Sequence, residues 1–519
     1  MKFGLEQHII DNLIAVFEQN SKVDKAFVFG SRAKGNNRPD SACALADRSD
    51  IDIAIKGQDL HTDDIIAMSV AFEEIGITHK IDLINYDTIN DLSAKAQAEP
   101  DLKDHIDRVG IELYSRWKNV KLQDIVSKLG DGLHGTPEYD LNGEYYFING
   151  NNLIGGKIVI KENTQRVTKE EFLKYKKELN DRTILLGING TIGNVALYNG
   201  EKCILGKSAC YFNVVSDVSK DYIKYVIMDK SFQAYIENFA NGSTIMNVSL
   251  KVVREYEFTL PPINEQTAIA NILSSLDDKI DLLHRQNKTL EQLAETLFRQ
   301  WFVEEAEESW EEKSFKDLIE TSLGGEWGKE NPEGDFQLQV QCIRGTDIAD
   351  LQTGIPLRTP IRFIKQNKFE SIEIKDGDLV MEISGGTDNQ STGRTTYIND
   401  NVKALFKYPL VFSNFCRLIR PKKKEYSFFI YSYIHHLYEQ GDLFNLENGS
   451  SGIKNLNYKA LLFELAYKLP NEKKIIQFHK DVEQYFYKIN KNKFQIRTLT
   501  QTRDTLLPKL MSGEVRVKI

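Results

Sequence analysis

Two stretches of this sequence repeat a mostly apolar residue in alternating steps of three and four, and this spacing constrains the fold most. Only a helix keeps such residues on one face, and the alternation is the heptad seam of a coiled coil. The first seam consists of Ile269, Leu273, Leu276, Ile280, Leu283, Asn287, Leu290, Ala294, Leu297 and Trp301. The second consists of Ile475, Phe478, Val482, Tyr485, Ile489, Asn492, Ile496, Leu499, Arg503, Leu506 and Leu510. We therefore predict two long helices that pair with each other.

The residues around the first seam indicate where its helix begins and what its surface carries. A proline pair at 261–262 precedes the seam, where proline can begin a helix but cannot continue one. Asn287 occupies a core position, where a polar residue usually fixes the register at some cost in stability. Phe298, Trp301 and Phe302 are expected to be exposed on the outer flank, so this apolar surface would need a further partner. An ordinary long core helix is the alternative, but charges outside so regular a seam favour a paired helix.

The two seams belong to a duplicated segment. TLEQLAETL at 289–297 and TLTQTRDTL at 498–506 share Thr, Leu, Gln, Thr and Leu in register. A tryptophan motif opens each copy, at 117–125 and at 310–318. The repeat is roughly 200 residues long, which indicates a duplicated domain plus helix rather than a solenoid unit.

Within each copy, short apolar runs alternate with glycine and asparagine turns. Examples are ILLGINGTIGNVALYN at 184–199 and GDLVMEI at 377–383. Such runs predict short strands joined by tight turns, and helices are expected near 220–239 and 426–440. We therefore expect an α+β globule in each copy.

The first 114 residues differ, because their predicted strands carry acidic side chains. The strands are expected at 25–29, 49–55 and 80–85, after an amphipathic helix over 5–17. Residues i and i+2 of a strand face the same side, so Asp50 and Asp52 project together, and Asp82 lies in a matching strand. Gathered carboxylates repel unless a cation neutralises them, and hard oxygen ligands suit Mg²⁺. Asp-x-Asp alone is common on solvated strands, but its combination with a Gly-Ser turn after the strand before it and an Asp on the strand after it is more specific.

A Gly-Ser turn follows the first of these strands and can offer backbone N–H groups to phosphates. The chain thus has a strand that ends in Gly-Ser, then a strand with Asp-x-Asp, then a strand with a single Asp. This order resembles that of the minimal nucleotidyltransferases of the DNA polymerase β superfamily, which include antitoxins paired with HEPN toxins. The resemblance implies Mg²⁺ as cofactor and a nucleoside triphosphate as substrate. The implied catalytic and metal-binding residues are Asp50, Asp52 and Asp82, the last also as activating base. The implied nucleotide-binding residues are Gly30, Ser31 and Arg32.

One stretch departs from that resemblance. NNRPDSACALADR at 36–48 is longer than the corresponding loop of these small enzymes. It is either a harmless loop or a distortion of the site, so whether the domain is an active enzyme stays open.

The duplicated segment resembles the specificity (S) subunit of type I restriction-modification systems. The resemblance is carried by ILLGINGTIGNVALYN, by the whole of residues 260–302 and by TRDTLLPKLMSGEVRV at 502–517. It implies two target-recognition domains held apart by two antiparallel helices that dock methyltransferase subunits, in a complex that also has a restriction/translocase subunit. No nuclease or methyltransferase motif occurs in this segment, so partners would cut and methylate.

These patterns predict an α+β multidomain chain that binds double-stranded DNA at a bipartite site. The predicted domains are a nucleotidyltransferase-like α/β domain over 1–114, a first target-recognition domain over 115–259, a first spacer helix over 260–305, a second target-recognition domain over 306–468, and a second spacer helix with tail over 469–519. Loops with amide, hydroxyl and guanidinium groups suit base edges. The candidate DNA contacts are Asn189, Thr191, Asn194, Asn389, Gln390, Arg394 and Thr395, for each of which a solvated turn is the alternative.

Two other functions remain open at this point. One is an active, antitoxin-like nucleotidyltransferase that modifies a protein or RNA and is targeted by the DNA-binding repeats. The other is a scaffold whose recognition domains have lost DNA affinity. If the chain is instead a DNA-binding specificity subunit, the duplicated segment is non-catalytic and the N-terminal domain has a regulatory role.

Charge and cysteine content limit the cellular context. Residues 1–116 hold 13 Lys+Arg and 21 Asp+Glu and so carry −8 of the net −9, which leaves the duplicated segment nearly neutral and free to have a basic face. The five cysteines form no CxxC pair and are expected to be reduced and mostly buried. No apolar run approaches membrane-span length, and MKFGLEQHII lacks a signal-peptide profile. We expect a cytoplasmic protein without membrane contact.

Overall fold

The computed structural model describes residues 2–34, 50–57, 59–77, 79–89, 102–240, 246–353, 359–387, 389–449 and 453–517. The predicted insertion at 36–48, with Cys43, lies outside these residues. Two compact units divide the chain, Met1–Ile272 with Leu507–Ile519, and Leu273–Leu506. In the described part of the chain, no helix is long and apolar enough to cross a membrane.

The cysteines that the structure describes are structural. Cys203, Cys210, Cys342 and Cys416 are free and buried, as predicted. Burial raises the pKa of each thiol to about 12. A thiol that stays protonated is a poor nucleophile, so these side chains serve packing.

The N-terminal part of the first unit is a mixed four-stranded sheet covered by helices. Its strands are β1 (Val23–Val28), β2 (Ile51–Gly57), β3 (Ile81–Asn85) and β4 (Ile111–Ser115), and its helices are α1 (Gln7–Gln19), α2 (Gly30–Ala33), α3 (Thr62–Glu74) and α4 (Leu102–Val109). The strand order is β3-β2-β1-β4, with β2 and β3 parallel and the other pairs antiparallel. Leu13 and Phe17, one turn apart on α1, are buried in one core with Val28 and Ile53, as an amphipathic helix on a sheet requires.

The segment after β4 folds into short strands and four helices. The strands are β5 (Lys118–Lys121), β6 (Val126–Asp131), β7 (Tyr145–Ile148), β8 (Leu153–Ile154), β9 (Lys157–Ile158), β10 (Arg166–Val167), β11 (Thr183–Gly187), β12 (Val195–Leu197), β13 (Cys203–Leu205), β14 (Ala209–Val214) and β15 (Glu257–Leu260). The helices are α5 (Lys169–Tyr175), α6 (Lys220–Met228), α7 (Lys230–Asn238) and α8 (Leu250–Glu255). A larger sheet has the order β12-β11-β14-β6 and a smaller one β10-β7-β13. The long helix α9 (Ile263–Arg299) follows.

The second copy likewise consists of short strands and helices followed by a long helix. Its strands are β16 (Glu311–Lys313), β17 (Ile319–Gly324), β18 (Leu338–Ile343), β19 (Ile361–Ile364), β20 (Leu379–Glu382), β21 (Ser384–Gly386), β22 (Thr395–Tyr397), β23 (Leu410–Phe412), β24 (Cys416–Pro421), β25 (Glu447–Asn448), β26 (Lys454–Leu456) and β27 (Tyr467–Leu469). Its helices are α10 (Gly345–Thr353), α11 (Gln366–Ile372), α12 (Asp400–Lys403) and α13 (Ser427–Glu439), followed by the long α14 (Glu472–Met511). The larger sheet has the order β17-β24-β20-β22, and a smaller one β19-β18-β23.

The larger sheets, the smaller sheets and the closing strand pairs of the two copies match strand by strand. In the larger sheets β6, β14, β11 and β12 correspond to β17, β24, β20 and β22. In the smaller sheets the central strand has one parallel and one antiparallel neighbour in both copies. The first strand of each copy pairs with the strand before the long helix, β5 with β15 and β16 with β27. The predicted duplication and the α+β fold are confirmed.

One predicted helix is interrupted in the structure. The helix expected near 220–239 is two helices, because Asp229 between them has an extended backbone (φ −66°, ψ 148°). The Asp229 carboxylate accepts the backbone N–H of Ser231, 2.9 Å away, and so caps α7. The helix expected near 426–440 is observed as α13.

The two heptad seams form the predicted helix pair. At 1.5 Å per residue, α9 and α14 are about 55 and 60 Å long. Within the second unit they run antiparallel, since Arg503 binds Asp277 (3.0 Å) and Asn492 donates to Asn287 (2.9 Å). Leu283 and Ile496 meet in the buried seam between these contacts.

The expectation that the aromatic residues at the end of α9 are exposed is wrong. Phe298 and Phe302 are buried and Trp301 is half-buried. Phe302 contacts Phe429 of α13 and Phe478 of α14, with ring centroids 4.9 and 5.1 Å away. The heptad pattern describes only the seam between the two helices, so it could not predict that α13 covers the outer flank.

Candidate functional site

The N-terminal sheet brings two of the predicted catalytic carboxylates side by side. Asp52 and Asp82 are direct partners across the parallel strands β2 and β3. Asp50 immediately precedes β2 rather than lying within it, at the same end of the sheet. The three carboxylates therefore lie at one end of the sheet, although only Asp52 and Asp82 owe their position to strand geometry.

Gly30 packs directly against the Asp52 carboxylate. The backbone N–H of Phe29 donates to the Asp52 carbonyl oxygen (3.0 Å), which holds this turn against β2. A Cβ atom on Gly30 would lie 2.2 Å from Asp52 Oδ2, and Gly30 has φ +71°, a conformation that side chains disfavour. Glycine is therefore required here, and exposed Ser31 follows it in the short helix α2.

A lysine that the sequence analysis did not single out joins the carboxylates. Lys80 Nζ lies 3.1 Å from both Asp50 Oδ2 and Asp82 Oδ2. These two ion pairs are solvent-accessible, with 44% of the Asp50 side chain and 49% of the Asp82 side chain exposed. The lysine cation thus partly neutralises the acidic group. Its position one residue before β3 and two before Asp82 was the only signal in the sequence.

The neighbouring carboxylates act on the charge of Asp52. The pKa of Asp52 is raised, first because burial removes water from its charge and then because Asp82 and Asp50 repel it. Lys80 and Arg32 act in the opposite direction. The pKa of Lys80 is raised by its hydrogen bonds to Asp82 and Asp50. An additional cation at this site would therefore be attracted by three carboxylates.

Arg32, predicted as a nucleotide contact, has a buried side chain that is 1% exposed. Its guanidinium donates to the carbonyl oxygens of Asp50 (3.2 Å) and Phe3 (3.3 Å). These bonds support the backbone that presents Asp50. A direct contact between Arg32 and a nucleotide stays a prediction.

The donor chemistry fits Mg²⁺, which prefers carboxylate oxygens. Within the ranges that the structure describes, however, no group of three or more His, Cys, Asp or Glu has an arrangement ready to hold a metal ion. The ammonium group of Lys80 lies between Asp50 and Asp82, 3.1 Å from an oxygen of each. A metal ion bound by the three carboxylates would have to displace Lys80.

In the first recognition domain, the predicted DNA contacts lie on the turn between β11 and β12. Asn189 forms an isolated bridge with Asn247, and its carbonyl oxygen accepts the N–H of Thr191 (2.9 Å). Asn194 Nδ2 donates to the Gly150 carbonyl oxygen (3.0 Å), which fixes the turn. Thr191 is exposed. The turn is thus a supported structure that presents Thr191 outward.

In the second recognition domain, the predicted contacts precede and begin β22. Asn389 and Gln390 are exposed, and Gln390 donates to the Tyr438 hydroxyl (3.3 Å). Arg394 forms a two-pronged ion pair with buried Glu382 (2.8 and 2.7 Å), and Thr395 is buried. No sequence pattern predicted the Glu382 partner, which lies on β20, 12 residues before Arg394.

Comparisons with known proteins agree with the resemblance of the N-terminal domain and with that of the duplicated segment. A model of the type I restriction modification DNA specificity domain matches residues 114–292, and a model of the polymerase beta nucleotidyltransferase family matches residues 11–119. The MjaIX type I restriction enzyme specificity subunit of Methanocaldococcus jannaschii is 25% identical over 361 residues, 65% of this chain and 78% of that protein. The HindI specificity subunit of Haemophilus influenzae is 22% identical over 360 residues, 58% of this chain and 76% of that protein.

Among solved structures, the type I restriction-modification S subunit of M. genitalium aligns over 76% of this chain and 96% of its own length. The sequence identity is 20% and the TM-score is 0.49. The two family matches show that one polypeptide carries a segment similar to polymerase beta nucleotidyltransferases, at 11–119, followed by a segment similar to type I restriction-modification specificity domains, at 114–292.

Proposed function

We propose that this chain is the DNA-specificity subunit of a type I restriction-modification complex. The observation that carries the proposal is the duplication: two recognition domains of identical strand order, each followed by a long helix, in a chain similar to type I specificity subunits along most of their length. Two similar domains with separate sheets suit two half-sites of double-stranded DNA, with an unread spacer between them.

The exposed residues of the two loops are the best candidates for base contacts. Thr191, Asn389 and Gln390 have exposed side chains of the hydrogen-bonding types that read base edges. Asn189, Asn194 and Thr395 contribute by holding the turns in shape. Arg394 would contact DNA only with the part of its guanidinium that Glu382 leaves accessible.

Partner subunits would dock on the helix pair. In the second unit, an apolar groove of about 390 Å³ is lined by Leu282, Arg285, Gln286, Thr289, Leu290 and Lys488. Leu293 of α9 and Tyr487 and Phe494 of α14 are also exposed. Methyltransferase subunits are the proposed occupants, and the restriction/translocase subunit would join through them, in the cytoplasm where the DNA is.

A domain exchange tests the specificity role. Replacing residues 119–259 by the equivalent piece of another specificity subunit should change one half-site only, because β5 and β15, which close the domain, are exchanged together. Methylation mapping of the complex with cognate methyltransferase subunits measures this. The matched chimera, with residues 312–468 replaced, should change the other half-site. If either chimera altered both half-sites, recognition would not be modular.

We further propose that the N-terminal domain transfers a nucleotide in a Mg²⁺-dependent reaction with a regulatory role. Asp50, Asp52 and Asp82 would hold Mg²⁺, which when bound neutralises triphosphate charge. Asp82 would accept the proton of the acceptor hydroxyl that attacks the α-phosphate, and pyrophosphate would leave. The backbone N–H groups at Gly30 and Ser31 would contact phosphate oxygens. The close packing of Gly30 on Asp52 supports this proposal, because the turn proposed to contact phosphate lies against a carboxylate proposed to bind the metal ion.

Neutralising the carboxylates tests this second function. Asp50→Asn with Asp52→Asn should abolish transfer of labelled nucleotide and weaken Mn²⁺ binding measured by electron paramagnetic resonance, because anionic ligands are lost. Site-specific DNA binding should be unchanged. Asp11→Asn with Asp63→Asn, which alters two exposed carboxylates of the same domain, is the control. A wild-type protein inactive with all four triphosphates and unable to bind Mn²⁺ would show that the domain is not a nucleotidyltransferase.

A further inference from the structure

Four charged side chains from distant parts of the chain meet at one place within the first unit. Asp24 lies on β1 of the nucleotidyltransferase domain, and Arg116 lies between β4 and β5. Glu265 lies in the first turn of α9, and Arg516 lies in the tail segment after α14, residues 512–517. Two acids and two arginines form a cluster without net charge.

Arg516 is the centre of this cluster. Its Nε and Nη2 donate to the two carboxylate oxygens of Glu265, at 2.7 and 2.9 Å, and its Nη1 contacts Asp24 Oδ1. The Trp117 indole N–H also donates to Glu265 (3.1 Å). A single side chain of the tail segment therefore binds both the start of α9 and the first strand of the nucleotidyltransferase domain.

Arg116 closes the cluster from the other side. Its backbone N–H donates to the Asp24 carbonyl oxygen (2.8 Å), and its guanidinium donates to the Ser21 carbonyl oxygen. Arg116 Nε also lies 3.8 Å from Glu265. The connection between β4 and β5 thus contacts the same charged cluster as the tail segment.

The cluster is largely removed from water. None of the Glu265 side chain is exposed, and only 12% of Arg516 and 26% of Asp24 are. Removing one partner of such a buried pair leaves an uncompensated charge, which is strongly unfavourable. The cluster therefore favours one defined arrangement of the tail segment against the domain.

β1 connects this cluster to the candidate nucleotidyltransferase site. The register of β1 against β2 shifts between Val23 and Lys25, so Asp24 lies in a β-bulge, a feature that redirects a side chain. β1 ends at Val28, and Gly30, which packs on Asp52, begins α2 two residues later, about 20 Å from Asp24 along an extended chain. A change at Asp24 therefore acts on the strand that leads into the turn at Gly30.

We propose that the tail segment is a latch that couples the specificity part of the chain to the candidate nucleotidyltransferase site through Arg516, Asp24 and β1. A shift at the start of α9 or the end of α14 would alter the hydrogen bonds of Arg516 to Glu265 and hence its ion pair with Asp24. The regulatory meaning rests on the proposed nucleotide transfer, whereas the coupling itself does not.

Hydrogen–deuterium exchange of the full chain tests the latch without any nucleotide. Arg516→Gln should accelerate exchange of the β1 amides and of residues 29–31 by on the order of tenfold, because β1 loses its anchor. Arg503→Gln is the matched control, since Arg503 is an arginine of α14 whose ion pairs with Asp277 and Asp504 lie within the second unit. Faster exchange restricted to the tail segment and the first turn of α9 would overturn the proposal, because the tail would then anchor only itself.

Asp24→Asn provides a second, milder variant, because it leaves the bonds between Arg516 and Glu265 in place. The latch predicts faster exchange in β1 with an unchanged tail segment. Unchanged exchange in β1 would contradict it. Because neither measurement uses nucleotide, a failure of nucleotide transfer would overturn the proposed enzyme function and leave these results unaffected.

Discussion

At the residue scale, Lys493 is an unusual side chain, because it is a buried lysine at a packed position of α14. Its ammonium group donates to the Leu351 carbonyl oxygen (2.7 Å), and only 7% of the residue is exposed. Burial lowers the pKa of Lys493 from 10.5 to about 8, while Glu291 partly opposes the change. The charged form is therefore less favourable in the folded protein than in the unfolded chain.

This shift predicts a stability that rises with pH. Between about pH 8 and 10.5 the unfolded chain binds more protons at this residue than the folded protein does, so the free energy of unfolding increases with pH across that window. A shift of this size corresponds to about 3 kcal/mol. Lys493→Met should remove the effect, as measured by denaturant unfolding of both proteins at several pH values. Lys491→Met, at an exposed position, should behave like wild type, and equal pH profiles for all three proteins would contradict the prediction.

The acidic residues of the candidate site show what sequence spacing can provide. The i and i+2 rule and the strand pattern predicted from the sequence alone that Asp50, Asp52 and Asp82 lie close together. The same rule places Lys80 on the side of Asp82, but it could not find the contact of Lys80 with Asp50 or the pairing of Arg394 with Glu382, because side-chain partners from other strands depend on register. Register is set by packing of the whole sheet and has no local signature.

At the scale of elements, the Asn287–Asn492 hydrogen bond lies inside the helix pair. Asn287 Nδ2 and Asn492 Oδ1 are buried with no hydrogen-bond partner among the described residues. A polar pair that is half satisfied costs stability, and such pairs persist where they define the register. The two helices were predicted from their seams alone, but this pairing of two asparagines required their relative register.

Opposite effects are expected from single and double substitution. Asn492→Leu alone leaves the Asn287 amide buried without its partner and should lower the free energy of unfolding by on the order of 1–3 kcal/mol. Asn287→Leu with Asn492→Leu should restore wild-type stability or exceed it. Thermal unfolding midpoints of the wild type and of the two variants measure this. A double variant less stable than the single one would show that the asparagines stabilise the pair rather than restrict its register.

At the scale of the whole molecule, duplication is the main organising feature. The tryptophan motifs and helix seams predicted two copies, and the strand-by-strand agreement of the sheets confirms them. The compact units nevertheless end inside α9 and α14, because a long helix contacts different partners along its length. The domain boundaries predicted at 114, 259, 305 and 468 stay predictions, since such a helix belongs to no single globule.

If the helix pair sets the distance between two half-sites, lengthening it should lengthen the DNA spacer. One heptad inserted into both helices, after Asn287 and before Asn492, keeps the antiparallel seam in phase and adds about 10 Å. At 3.4 Å per base pair this corresponds to about three more base pairs. Methylation mapping with cognate methyltransferase subunits should show a longer spacer and two unchanged half-sites. The same insertion in α9 alone should shift one seam against the other and destabilise the protein. An unchanged spacer in a stable double-insertion variant would mean that the helices do not measure the distance on DNA.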